Sequence, residues 1–136
     1  MSDVNRGKAS GPANRPLSPF MIGPYYRPQL TSITSILTRI TGNGLIVPAL
    51  LIVWWFLAAA MGPEAFATAN GFLTSWFGDI VMTASLWAMW YHFCAGLRHL
   101  WWDNTGKGFD IPTAYKLGYA VIAGSFVLTI LTLIVI

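Results

Sequence analysis

From residue 40 to residue 63 the chain reads ITGNGLIVPALLIVWWFLAAAMGP, 24 residues without one Asp, Glu, Lys or Arg. At about 1.5 Å of rise per residue, roughly 20 apolar residues carry a helix across the hydrocarbon core of a bilayer. Two further stretches come near or reach that length. Residues 80–97, IVMTASLWAMWYHFCAGL, are bracketed by Asp79 and Arg98, and residues 117–136 read LGYAVIAGSFVLTILTLIVI. Backbone N–H and C=O groups find no water in lipid, so each stretch has to be helical. The expectation is an all-α membrane protein with three transmembrane helices, spanning about 35–62, 76–101 and 115–136, with tryptophans at interfacial depth.

Composition agrees. Of 136 residues, 55% are hydrophobic and only 10% charged, against about 25% charged in a soluble domain. So few charges cannot cover a water-facing surface, which excludes a disordered chain, a nucleic-acid binder and most soluble enzymes. The length suits one domain. The single cysteine, Cys94, excludes an internal disulfide framework and a thiolate zinc site. Residues 1–30 hold Pro12, Pro16, Pro19, Pro24 and Pro28 and read as an extended N-terminal arm, lacking the apolar core of a cleaved signal. Residues 31–136 form the membrane domain. Pro48 is expected to bend the first helix or sit near its entry turn, and residues 64–78 and 103–114 read as short loops.

Charge sets the orientation. Arg6, Lys8, Arg15, Arg27 and Arg39 precede the first span, and Arg98, Lys107 and Lys116 flank the second connection of spans. These are all eight Lys and Arg residues; the opposite side carries Glu64 and Asp79. The positive-inside rule places the N-terminus in the cytoplasm and the C-terminus beyond the membrane.

Ionisable groups at membrane depth are costly and therefore candidates for function. His92 lies deepest, and Gly96, His99 and Asp103 follow it at i+4, i+7 and i+11 on one helical face. An imidazole beside a glycine notch suggests an axial haem ligand; the alternative is a hydrogen bond from His92 to a neighbouring helix. His92 and His99 are the only histidines. They stand about 10.5 Å apart along one face, so they cannot grip one haem from opposite sides. Haem ligation would thus require a partner subunit, with His99 meeting a propionate or water. Ser35 and Arg39, at i and i+4, place a hydroxyl and a guanidinium at the cytoplasmic interface, where a quinone head group needs donors. The alternative is a Ser/Thr-rich helix start with a snorkelling arginine. Arg98 and Asp103 are expected to form an interfacial ion pair.

RPLSP at 15–19, YRPQLTS at 26–32, SILTRITG at 35–42 and HFCAGLRHLWWD at 92–103 together resemble the cytochrome b membrane-anchor subunit of succinate dehydrogenase (complex II), in its alphaproteobacterial and mitochondrial form. The resemblance implies a membrane base shared with a second hydrophobic anchor subunit, on which an iron–sulfur subunit and a flavoprotein subunit dock from the cytoplasmic side of a bacterial inner membrane. It implies His92 as an axial ligand of haem b, the other axial histidine coming from the second anchor. Ser35 and Arg39 would line the ubiquinone pocket, with Asp103 near it, and Arg39 and His99 would lie in the haem-propionate region. Two positions depart from the pattern: Thr38 and Phe20 stand where the family usually has histidines. The chain is expected to be a non-catalytic electron-transfer subunit of an enzyme complex, in contact with lipid and not with nucleic acid. The alternatives are an anchor of fumarate reductase and a cofactor-free membrane scaffold.

Overall fold

The computed structural model describes residues 27–136. The arm through residue 26, including RPLSP and Phe20, lies outside the described residues. Five helices follow in order: α1 (Leu30–Gly44), α2 (Ile46–Met61), α3 (Pro63–Leu73), α4 (Trp76–Thr105) and α5 (Ile111–Val135). Three stretches are long and apolar enough to cross a membrane: Leu30–Met61, Trp76–Thr105 and Ile111–Val135. The chain is thus an all-α, multi-pass membrane protein.

The first span is α1 and α2 in sequence, interrupted at Leu45. Pro48 accounts for the interruption. It has no N–H to give the Gly44 carbonyl, and its ring crowds that oxygen. Leu45 itself stays near helical geometry and donates to the Thr41 carbonyl at 3.0 Å, so the path into the membrane continues past the irregularity.

The connection after the first span is a helix, α3, rather than the loop expected for residues 64–78. Pro63 starts it where a missing N–H costs nothing, and Glu64 sits in its first turn. Gly71 and Asn70 read as loop residues in sequence, but docking against α2 overrides them. Ala69 is buried, Phe66 packs on Trp55 at 5.4 Å, and the Trp55 indole N–H donates to Asn70 Oδ1 at 3.3 Å. Likewise α4 continues through Asp103 to Thr105 before Gly106 closes it in the left-handed conformation. Asp110 caps α5 by accepting from the Thr113 amide at 3.1 Å. The loop expected over 103–114 is therefore only the segment 106–110.

Helix α4 is central, with α5 and α1 against it and α1 also touching α5. Tyr91, Ala95 and Val121 form the core of this junction. The face that α5 buries is made of small residues, two of them hydroxylated: Ala114, Gly118, Val121, Ser125 and Thr129. Small residues let helix backbones approach when lipid offers no hydrophobic contrast. The hydroxyls of Thr34, Thr38 and Thr41 on α1, and of Ser125 and Thr129 on α5, bond to carbonyls of their own helices. Their polarity is thereby satisfied without water.

Candidate functional site

The polar residues gather where α1 meets α4. His92 leaves α4 toward α1, with Nδ1 3.1 Å from the Thr38 carbonyl oxygen and 3.5 Å from Thr41 Oγ1. A carbonyl oxygen only accepts, so the Thr38 bond requires the proton on Nδ1 and leaves the lone pair on Nε2. Gly42 permits the approach. A Cβ at that position would stand 2.8 Å from His92 Cε1, inside normal carbon–carbon contact of about 3.5 Å. That close contact is with α1. At Gly96, the notch expected beside His92, nothing among the described residues lies within 4 Å of the missing Cβ, so the space is open. Ala88 and Gly96, one turn either side of His92 on α4, leave the imidazole flanked by small residues. Beyond the His92–Gly42 contact, Thr41, Gly44, Ala84 and Ala88 line part of a groove of about 380 Å³.

Two adjacent stripes on α4 divide the labour. Tyr91, Ala95 and Arg98 are buried against α1 and α5, with Trp102 half-buried beyond them. One residue over, His92 and Gly96 are half-buried while His99 and Asp103 are exposed. On α1, Ser35, Arg39 and Gly42 share a stripe, and Ser35 and Arg39 are exposed. The helices run antiparallel, pinned by Gly42 against His92 and by Thr34 against Arg98. That register sets Ser35 near the level of residues 97–99 of α4 and Arg39 near that of residues 93–95. Ser35, Arg39, His99 and Asp103 thus lie on one side of His92 along the helices, and the groove at Ala88 lies on the other. Asp103 is the most remote, eleven residues from His92 or about 16 Å along the helix. His99 stands edge-on to the Trp102 ring at 5.4 Å.

Arg98 corrects an expectation. It does not reach out to Asp103 at the interface. It is 6% exposed, donates from Nη1 to Thr34 Oγ1 at 3.3 Å, and lies over the Trp102 ring at 4.9 Å. The Tyr91 hydroxyl donates to the Thr34 carbonyl at 3.0 Å. Sequence reading passed over this inward cluster. Its signal was the i, i+4, i+7, i+11 spacing of Tyr91, Ala95, Arg98 and Trp102, parallel to the stripe that holds His92. Gly42 and the Thr38 carbonyl were also missed, because a backbone acceptor leaves no mark on residue type. Position 38 serves here through its carbonyl, while its hydroxyl turns back to the Thr34 carbonyl at 2.8 Å. The departure from histidine at this position leaves that contact untouched.

Among the described residues no group of three or more His, Cys, Asp or Glu side chains gathers to hold a metal. The α1–α4 junction offers instead one imidazole lone pair between small residues. Residues 12–132 match the profile of the succinate dehydrogenase/fumarate reductase transmembrane subunit. The chain belongs to that family. Among relatives of this transmembrane-subunit family, the succinate dehydrogenase cytochrome b556 subunit of Paracoccus denitrificans is 53% identical over 135 residues, covering 99% of this chain and 97% of the relative. The cytochrome b556 subunit of Rickettsia conorii is 36% identical over 117 residues, covering 86% and 89%. The cytochrome b560 subunit of Reclinomonas americana is 32% identical over 130 residues, covering 90% and 86%.

Proposed function

We propose that this chain is the haem b-binding membrane anchor of a succinate:ubiquinone oxidoreductase and carries electrons without catalysing a reaction alone. The observation that carries the reading is the His92 Nδ1 contact with the Thr38 carbonyl at 3.1 Å. Haem-ligating histidines are oriented in this way, one ring nitrogen tied to a backbone acceptor and the other free for iron. The names of the relatives, cytochrome b556 and b560 subunits of succinate dehydrogenase, support it.

The residues present fit the group. Nε2 of His92 would be the axial donor, Ala88 and Gly96 are small residues one turn either side on the same helix face, and the space at Gly96 is open. Arg39 and His99, both exposed on the side of His92 toward the start of α1 and the end of α4, would meet the propionates. A bound haem would supply one-electron storage at this depth. The second axial histidine would come from a second hydrophobic anchor subunit, since His99 lies on the same face of the same helix.

Ser35 and Arg39 would bind the ubiquinone head group. Both are exposed at the start of α1, where a hydroxyl and a guanidinium can donate to carbonyl oxygens while the isoprenoid tail stays in lipid. Asp103, at the protruding end of α4, would sit on the water side of that pocket. An iron–sulfur and a flavoprotein subunit would dock on this face, cytoplasmic by the placement of the eight Lys and Arg residues. The domain division follows the same reading, an arm over residues 1–30 and a membrane anchor over 31–136.

The test is an optical spectrum of the detergent-extracted complex with identification of its co-purifying chains. A Soret band and a reduced α-band, lost in His92→Ala while the chains still assemble, are expected. A colourless wild-type complex rejects the reading.

A further inference from the structure

The buried cluster beside the site carries a charge that nothing on the inner face of α4 balances. Arg98 is 6% exposed. Among the described residues its partners are a threonine hydroxyl at 3.3 Å and the face of an indole at 4.9 Å, and its Nε has no hydrogen-bond partner. Both partners are uncharged. Burying a guanidinium on such terms costs stability, and an apolar side chain of similar volume would ordinarily serve the packing better. Arg98 is nevertheless fixed from several directions. Thr34 is fully buried, held by its own bond to the Thr31 carbonyl and by the Tyr91 hydroxyl on its carbonyl. Gly118 of α5 lets Leu30 and Thr34 close over the junction, since a Cβ there would lie 3.1 Å from Leu30 Cδ2. Trp102 is backed by Phe109, stacked at 5.3 Å.

We infer that Arg98 is a fixed positive charge that raises the reduction potential of the haem held at His92. This rests on the haem reading above. Arg98 follows His92 by six residues on the same helix, about 9 Å of axial rise, and points to the neighbouring inward face. Adding one electron to the ferric iron lowers the charge of the site by one, so a nearby cation favours the reduced form. At roughly 12 Å and an effective dielectric of about 20, two unit charges shift an equilibrium by about tenfold. For a one-electron couple, tenfold corresponds to about 59 mV. Arg98 touches neither iron nor quinone in this picture; it acts through the field alone.

The experiment is a redox titration of the haem absorbance in the purified, assembled complex. Arg98→Lys, which retains the charge, is expected to titrate close to the wild type. Arg98→Gln, which retains a donor for Thr34 but not the charge, is expected to titrate about tenfold lower in oxidation equilibrium, or about 59 mV, with an unchanged reduced spectrum. Thr34→Asp, which keeps Arg98 and supplies the absent counter-charge, is expected to shift the same way. An unchanged midpoint in Arg98→Gln or Thr34→Asp complexes that carry normal haem overturns the inference. Loss of haem in both variants also overturns it, because Arg98 is then a folding element. A wild-type complex without haem rejects the functional reading instead.

Discussion

His92 Nδ1 meets the carbonyl oxygen of Thr38 across the α1–α4 interface at 3.1 Å. The contact joins a residue near the middle of one transmembrane helix to the backbone of another, 54 positions earlier in the chain. It fixes the tautomer of the imidazole, with the proton on Nδ1 and the lone pair on Nε2. The helix geometry around it, not the ring itself, is what would make His92 an axial ligand in the proposed reading.

Gly42 is the weak point of that geometry. A Cβ would come within 2.8 Å of the ring, so Gly42→Val is expected to push the imidazole off the Thr38 carbonyl. Overpacking of this kind costs about 1–3 kcal/mol. The expected readout is loss of b-type absorbance in complexes that retain all their chains. Gly71→Ala, where a Cβ meets nothing within 4 Å, serves as the control. Normal absorbance in Gly42→Val would show that the ring does not depend on this approach.

Ser35→Ala and Arg39→Ala are expected to lower the rate of quinone reduction by the complex severalfold or more. Succinate oxidation with an artificial acceptor is expected to stay nearly intact, because both side chains are exposed at the start of α1 and neither holds the fold. Steady-state assays with the two acceptors separate the steps. Equal quinone kinetics in both variants and the wild type would remove these residues from the pocket.

Tyr91→Phe removes a hydroxyl that is buried with its ring and bonded to the Thr34 carbonyl at 3.0 Å. A net hydrogen bond is worth about 1 kcal/mol, and the carbonyl keeps its helical donor. A modest drop in the thermal midpoint of the purified complex is expected, with the haem spectrum preserved at low temperature. A variant as stable as the wild type would mean that Arg98 and Gly118 hold the α1–α4–α5 junction without the tyrosine.

Asp110 gives the α5 cap a pH dependence. Hydrogen bonds from Thr113, its hydroxyl first and its amide next, hold the Asp110 carboxyl below the ordinary aspartate value of 3.8. A depressed carboxylate stabilises the folded state above its unfolded pKa, and that contribution fades as pH falls through the lowered folded value. The protection of the Thr113 amide, its exchange rate taken against that of an unstructured amide at the same pH, is expected to be constant through neutral pH and to fall only in acid. Asp110→Asn, which keeps the acceptor without titrating, is expected to abolish that fall. Acid loss of protection that persists in Asp110→Asn would place its origin elsewhere.

Much of the molecule could be read along the chain. Three charge-free stretches fix the number of membrane helices, because lipid forbids an open backbone group and sets a minimum length. The stripes Ser35–Arg39 and His92–Gly96–His99–Asp103 are equally visible, since they depend only on the turn of one helix. Where local signals were mixed, reading along the chain stopped short. Asn70 and Gly71 signal a loop, yet α3 forms there because Trp55 and Phe66 give it a surface to dock on.

What one helix presents to another was settled only in three dimensions. Sequence periodicity finds a face but not its neighbour, so it gave no sign that Gly42 closes on His92 and sent Arg98 outward to Asp103 instead of inward to Thr34. The acceptor for His92 is a carbonyl, common to every residue and therefore silent in the sequence. Residue type determined that this chain enters the membrane and carries an imidazole there. The antiparallel packing of α1 on α4 decided which nitrogen of that imidazole is free, because hydrogen bonds and close packing depend on distances that no single helix contains.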